Sequence, residues 1–178
     1  MSESAPEKPA PFRPAPKALQ STADALHRAI AAMSNGDRAS LRKMRPEDLH
    51  QPAFWKLSTG LLQAALPPDE SPWRDAQERR WAVVLAVAAA ANHAPGMRLG
   101  SALARAGVAE VRLTRLLRAR GDQLPDAVRT LAHQLVTAAV PFDFADLAWL
   151  VLSEGRDDEE RARQQIARDY YRSVGIDT

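Results

Sequence analysis

Apolar residues recur along most of the chain at steps of three and four, which is the spacing of one face of an α-helix. Leu26, Ile30 and Met33 begin this pattern, and Leu57 and Leu61 continue it. No alternation of apolar and polar residues, the pattern typical of a strand, extends beyond a few residues. The chain is therefore predicted to form an all-α helical bundle.

Helix-breaking and capping residues divide this pattern. Asn35-Gly36 ends the first helix, and Asp37 is predicted to cap a short helix over 38–44. An alanine-rich helix over 73–93 allows neighbouring helices to approach closely, so we expect it to lie inside the bundle. Further helices are predicted over 97–106, 108–120, 123–140 and 144–152, the last capped by Asp143. A final helix is predicted from Asp157 or Asp158 to residue 171.

The first 18 residues differ from the rest, since five prolines alternate there with alanines and single charges. This segment is predicted to be a disordered tail with no signal peptide. Residues 19–178 are predicted to form one all-helical domain, in which Pro95-Gly96 permits two lobes, 19–94 and 97–178. The longest apolar run, 81–91, is too short to span a bilayer, so we expect no membrane partner.

The residue types argue against an enzyme or a metal site. The chain has no cysteine, which excludes disulfides, thiol catalysis and thiolate ligands. Asp143 and Asp146 share a helix face, but no base or nucleophile accompanies them, and capping explains Asp143 better. We therefore expect no catalytic activity, cofactor, metal or small-molecule substrate. Four histidines lack a partner at metal-ligand spacing and are interpreted as surface or helix-end residues: His27, His50, His93 and His133.

Positive charge is concentrated rather than spread evenly. The net charge is only +2, yet six arginines lie between residues 98 and 120 against one acid. Arg112, Arg115 and Arg118 follow at steps of three, opposite a stripe of leucines, and are predicted to form an outward row that grips phosphates without reading bases. The alternative is a solvated face that pairs with the acidic run at 157–160. The candidate nucleic-acid-binding residues here are Arg105, Arg112, Arg115, Arg118 and Arg120.

A second basic patch lies earlier in the chain. Arg38 and Arg42 are four residues apart and share a helix face, with Lys43 beside them. A short basic turn of this kind is more often solvated than bound. These three residues are the weaker candidates for nucleic-acid binding.

Five segments occur in a fixed order between residues 24 and 173. They are GDRASLRK at 36–43, ANH at 91–93, LGSALA at 99–104 with RLTRLL at 112–117, VPFDFADL at 140–147 and IARDYY at 166–171. In this order the chain resembles the CasB family, the small subunit of the type I-E CRISPR Cascade complex. Phe144 and Ile166 stand where the family carries Trp, and both keep an apolar side chain there.

The resemblance implies a non-catalytic, two-lobed helical subunit that is present in two copies along the inner face of Cascade. There it is expected to stabilise the guide RNA–target R-loop and the displaced DNA strand in antiviral defence. The implied partners are crRNA and target DNA through backbone contacts, the other Cascade subunits and a second copy of the chain. The implied location is the cytoplasm.

Two other classes of protein stay open on the residues alone. Residues 103–108 followed by 112–117 also resemble a helix-turn-helix with Gly107 at the turn, which would make the chain a duplex-binding regulator. Leu103 weakens that interpretation, because a small residue is usual four positions before the turn glycine. The third class is a structural helical protein whose arginines meet an acidic protein partner.

Overall fold

The structure, a computed structural model, describes residues 16–175. This part of the chain forms nine α-helices and a short 3-10 helix, Gln63–Ala65, with no strand, so the all-α prediction is confirmed. None of these helices is long and apolar enough to cross a membrane. The α-helices are α1 (Pro16–Ala32), α2 (Asn35–Lys43), α3 (Pro52–Gly60), α4 (Arg74–Ala88), α5 (Leu99–Arg105), α6 (Glu110–Arg118), α7 (Gln123–Thr137), α8 (Phe144–Leu152) and α9 (Glu159–Val174). The predicted disordered tail lies outside the described residues at positions 1–15, and positions 16–18 belong to α1.

Capping residues set several helix starts. Asp143 caps α8 as predicted, and its Oδ1 accepts a hydrogen bond from the backbone N–H of Ala145 at 3.0 Å. The predicted cap of α2 is wrong, because Ser34 Oγ accepts the N–H of Asp37 at 3.0 Å and Asp37 itself lies in the first turn. Asp158 stands at the N-cap position of α9 without a side-chain cap hydrogen bond.

The central element is α4. Every residue from Trp81 to Ala89 is buried, and the helix packs against α1, α2, α3, α7 and α8. A helix that is apolar on all sides is stable only when it is surrounded in this way. The predicted internal position of the alanine-rich helix is therefore confirmed. The helix is shorter than predicted, because it ends at Ala88 and the chain then turns through residues 89–92 towards His93.

The helices α5 and α9 cross at very close range. A Cβ atom added to Gly100 would lie 2.1 Å from the carbonyl oxygen of Ile166 and 2.8 Å from the backbone nitrogen of Tyr170. Only a residue without a side chain fits at this crossing. Ile166 and Tyr170 are themselves buried, so the contact belongs to the core of the second half of the chain.

A partly buried polar cluster of His93 and Asp24 joins the first helix to the second half of the chain. The His93 side chain is 2% exposed, so it is not a surface histidine, but it does lie at a helix end, at the start of α8. His93 Nδ1 accepts the backbone N–H of Phe144 at 3.1 Å, and its Nε2 lies 2.8 Å from Asp24 Oδ1. Because Nδ1 is the acceptor, Nε2 carries the proton and donates to the Asp24 carboxylate. His93 thereby links α1 to the start of α8.

Candidate nucleic-acid interface

The arginine row on α6 faces outward as predicted. Arg112, Arg115 and Arg118 are exposed, whereas Leu113 and Leu116 on the opposite side are buried. Within residues 16–175 none of these three guanidinium groups forms an ion pair with a carboxylate. The row is therefore a surface of uncompensated positive charge.

Both ends of α6 are fixed by α9. The buried Tyr170 hydroxyl donates to the carbonyl of Val108, just before the helix begins. Arg163 Nη2 donates to the carbonyl of Ala119, just after the helix ends, at 2.7 Å. Burial raises the pKa of Tyr170, so the hydroxyl keeps its proton and its donor role. The arginine row is thus carried on a helix that is held in place at both ends.

An open groove separates α6 from α7. Its volume is about 720 Å³, and Arg112 and Arg115 form one wall. The facing wall on α7 includes Arg129 and His133, and it also carries one acidic residue, Asp126. A groove with cations on both walls suits a polyanionic chain that lies along it.

A smaller pocket adjoins this groove on the other side of α7. Its volume is about 210 Å³, and it is lined by Arg42 of α2 together with the same Arg129 and His133. Helix α7 therefore joins the two basic patches that are far apart in sequence. We call this combined surface the basic face and define it by Arg42, Arg112, Arg115, Arg118, Arg129 and His133.

Two arginines of the basic face are anchored by backbone groups instead of carboxylates. Arg42 Nε donates to the carbonyl of Ala89 at 2.7 Å, and Arg129 Nη2 donates to the carbonyl of Met44 at 2.9 Å. A guanidinium group has five N–H donors, so each side chain keeps donors for a phosphate. The anchoring fixes the position of the charge without neutralising it.

The other predicted binding residues lie elsewhere. Arg105 is exposed at the end of α5 and Lys43 at the end of α2, and neither lines the groove or the adjoining pocket. Arg38 is half-buried and donates to the side chain of Asn35 at 2.5 Å. Arg120 pairs with Glu159 and Glu160 of the acidic run, at 2.5 Å each, so the alternative of acidic pairing applies to this residue.

Arg129 and His133 were not predicted from the sequence as nucleic-acid-binding residues. They are four residues apart on α7, the same spacing that marked Arg38 and Arg42. Arg129 has no other arginine or lysine close to it in the sequence, so no local cluster of positive charge indicates it. His133 is exposed, in agreement with its interpretation as a surface residue, but its neighbours come from α6 and α2.

The candidate carboxylates, Asp143 and Asp146, accept backbone hydrogen bonds and so have structural roles. Asp143 Oδ2 accepts the N–H of Gly96 at 2.9 Å, and Asp146 Oδ2 accepts the N–H of Leu99 at the start of α5, also at 2.9 Å. Asp146 further pairs with Arg98 at 2.6 Å. Burial raises the pKa of the Asp146 carboxyl, and its hydrogen bond from Leu99 and the charge of Arg98 oppose this shift. The described residues contain no group of three His, Asp or Glu side chains that could hold a metal ion.

The packing of α5 and α6 differs from the expectation for a helix-turn-helix. The main partner of α5 is α9, and α6 packs against α7 and α9. Gly107, with φ of 68°, makes the turn between α5 and α6 in the left-handed region. The turn predicted from the sequence is present, and α6 forms one wall of the groove against α7.

Known proteins resemble the chain in sequence and in structure. Residues 37–171 match the family model described as CRISPR-associated protein Cse2. A chain in the crystal structure of E. coli Cascade bound to a PAM-containing dsDNA target has a similar fold, with a TM-score of 0.63 and 28% sequence identity. That match covers 86% of this chain and 96% of the E. coli chain. No curated protein sequence matches.

Proposed function

The chain belongs to the CRISPR-associated Cse2 family, and from this premise we propose that it is a non-catalytic subunit of a Cascade surveillance complex whose basic face binds nucleic-acid backbone. CasB is another name for this family, so the resemblance predicted from the sequence is confirmed. The match to a chain of Cascade bound to target dsDNA supports the assignment to this complex. The helix-turn-helix regulator is not favoured.

The observation that carries the proposed binding surface is the grouping of five arginines from three helices without a carboxylate partner. Arg42, Arg129 and the α6 row line three depressions that share residues. Arg129 and His133 lie in both the groove and the small pocket. Arg115 lies in both the groove and a third depression lined by Arg118. Guanidinium groups remain charged at physiological pH and match the geometry of phosphate oxygens. Such a surface retains a strand through its backbone and has little means of reading the bases.

The proposed partners follow from the assignment to Cascade. They are crRNA, target DNA, the other Cascade subunits and a second copy of this chain. We place the chain in the cytoplasm, where guide RNA and invading DNA meet. The absence of catalysis is supported by Asp143 and Asp146, because both carboxylates are occupied with backbone N–H groups at helix ends.

The experiment that tests this function is a double charge reversal, Arg112→Glu with Arg115→Glu, in the assembled complex. We expect weaker retention of target DNA and a slope of log K against log[salt] that is smaller by about 1.4 to 1.8, since each lost phosphate contact removes about 0.7 to 0.9. Affinity is measured at several salt concentrations, and circular dichroism reports the helix content. A matched control is Arg161→Glu with Arg168→Glu, which changes the same charge on exposed positions of α9.

Unchanged affinity and slope in the α6 variant, with normal helicity, would overturn the binding surface. Loss of the variant chain from the complex without any change in salt slope would point to an acidic protein partner for the arginines. Equal weakening by the α6 variant and the α9 control would mean that net charge alone matters and not the basic face.

A further inference from the structure

The small pocket beside α7 has an apolar floor that the binding of backbone does not use. Val83, Ala86 and Val87 of α4 and Ala132 of α7 form the floor, and each is between 5% and 8% exposed. Ala90 and Val136 form exposed walls, and Val136 is 40% exposed. The pocket exists because alanines stand at facing positions of α4 and α7, where a larger side chain would fill the space.

The rim of the same pocket is cationic. Arg42 and Arg129 are fixed by backbone carbonyls, His133 lies beside them, and no acidic residue lines the pocket. A ligand that combines a flat apolar body with a negative charge at its edge satisfies both parts of this site. An apolar protein side chain would cover the floor but would cost the guanidinium groups part of their hydration.

We propose that this pocket receives a single unstacked nucleobase from the strand whose phosphates lie on the basic face. The inference rests on the proposed function and names what the pocket contributes to it. The volume of about 210 Å³ is below the roughly 300 to 1,000 Å³ of pockets that take drug-sized ligands, so it suits one ring system. The faces of the base lie against valine and alanine, and its flanking phosphate contacts Arg42 or Arg129.

The occupant comes from an unpaired strand. Moving a base out of a duplex breaks its stacking and its base pair, which costs a few kcal/mol. For an unpaired base this free-energy cost is much smaller. The polar side chains of the lining do not match the hydrogen-bonding edge of one particular base, so the pocket should bind all four bases with similar affinity. The pocket therefore sets the register of the strand at one nucleotide and leaves its sequence free.

The test uses the assembled complex and target DNA in which 2-aminopurine replaces one base at a time in either strand. The fluorescence of this base is quenched in a stack and rises when the base leaves it. Every base of an unpaired strand is less stacked than in the duplex, so we expect a rise above that of the other unpaired positions at one position, or at one position for each copy of the chain. Ala86→Leu and Ala90→Leu fill the pocket without a change of charge. Each is expected to remove the rise and to weaken strand retention about tenfold, the loss expected when one apolar group is no longer buried. Ala31→Leu, on an exposed position of α1, is the matched control.

An abasic site at the responding position separates pocket filling from damage to the fold. With the base absent, the wild-type chain and the Ala90→Leu variant should retain the strand equally well. The proposal is overturned if no position responds in the wild type, or if the Leu variants retain the strand as the wild type does. It is also overturned if the Leu variants lose other proteins of the complex and keep their strand affinity, since the occupant is then a protein side chain.

Failure of this inference and failure of the proposed function are distinguishable. The Leu variants keep all five arginines, so the salt slope reports the backbone surface independently of the pocket. If Arg112→Glu with Arg115→Glu reduces the salt slope as expected and Ala86→Leu leaves strand retention unchanged, the base pocket is overturned and the proposed binding surface stands. If neither variant has an effect, the proposed binding surface is overturned as well.

Discussion

Arg118 and Arg120 are two residues apart, and the structure gives them different surroundings. Arg118 is exposed beside the open side of α6, whereas Arg120 pairs with Glu159 and Glu160. The sequence placed both in one basic cluster, because the acidic residues lie about 40 positions later. Only the packing of α9 against the end of α6 decides which arginine is available. The direction of the α6 row was predictable from the leucines opposite it, but its pairing state was not.

The hydrogen bond between His93 and Asp24 makes a testable contribution to stability at acidic pH. The donation from His93 lowers the pKa of the Asp24 carboxyl below its ordinary value of 3.8, and partial burial opposes this shift. A carboxyl with a lowered folded-state pKa contributes stability that is complete above its unfolded pKa and is lost as pH falls through its folded pKa. The contribution of Asp24 should therefore begin to fall as the pH approaches 3.8 and disappear below the lowered folded-state pKa.

Asp24→Asn isolates this contribution, because the amide oxygen still accepts from His93 Nε2 but does not titrate. We expect the free energy of unfolding of the wild type to exceed that of the variant near neutral pH, and the difference to shrink as the pH is lowered. Urea unfolding at a series of pH values measures it. A difference that stays constant over the acidic range would show that the charge of Asp24 contributes nothing.

At the scale of helices, the sequence predicted helix bounds correctly where neighbouring residues decide them and less well where long-range contacts do. The bounds of α8 agree with the prediction, because Asp143 caps the helix through its own next residues. The predicted end of α4 is wrong by five residues, and in the segment that follows Ala88 the carbonyl of Ala89 accepts from Arg42 and His93 contacts Asp24. Tertiary contacts of this kind leave no periodic signal in the sequence.

The crossing of α5 and α9 was also not predictable from the hydrophobic pattern. Gly100 lies in a short helix where glycine is unfavourable by propensity, and this cost is explained only by the backbone of α9. In the sequence, the segment LGSALA is one of the blocks that resemble the family, and its pattern does not explain its glycine. The structure supplies the physical reason for its glycine.

Gly100→Ala is expected to destabilise the protein strongly. The new Cβ would lie 2.1 Å from the carbonyl oxygen of Ile166, so the two helices must move apart, at a cost of about 1–3 kcal/mol or more. Thermal unfolding measures the change. Gly60→Ala is the matched control, because nothing lies within 4 Å of the added atom at the end of α3, and its effect should stay below about 1 kcal/mol. Equal stability of the two variants would contradict the close crossing.

At the scale of the whole molecule, the two basic patches form one surface. Arg42 and the α6 row are about 70 positions apart along the chain, and α7 lies between them with Arg129 and His133. The sequence predicted each patch but did not predict that they meet, because contacts among α2, α4 and α7 decide this. The predicted division into two lobes at Pro95-Gly96 stays a prediction.

The extent of this surface predicts how binding depends on salt and sequence. If all five arginines contact phosphates of a single strand, the slope of log K against log[salt] for the full chain should approach about −3.5. Affinity should vary little among single strands of different sequence, because backbone contacts carry it. Fluorescence anisotropy with several oligonucleotides measures both quantities. A strong preference for one sequence, or a slope near zero, would contradict the prediction.

The contact between α1 and α8 has a consequence for synthesis of the chain. Gln20 of α1 donates a hydrogen bond to Asp143 at the start of α8, across a separation of 123 residues. At roughly 5–20 residues per second, the ribosome needs on the order of 6 to 25 s to produce the second partner after the first. During that interval Leu19, Leu26 and Ile30 of α1 lack the surface that later buries them. The nascent chain therefore emerges with the apolar face of an amphipathic helix uncovered, which chaperones can bind until α8 is made.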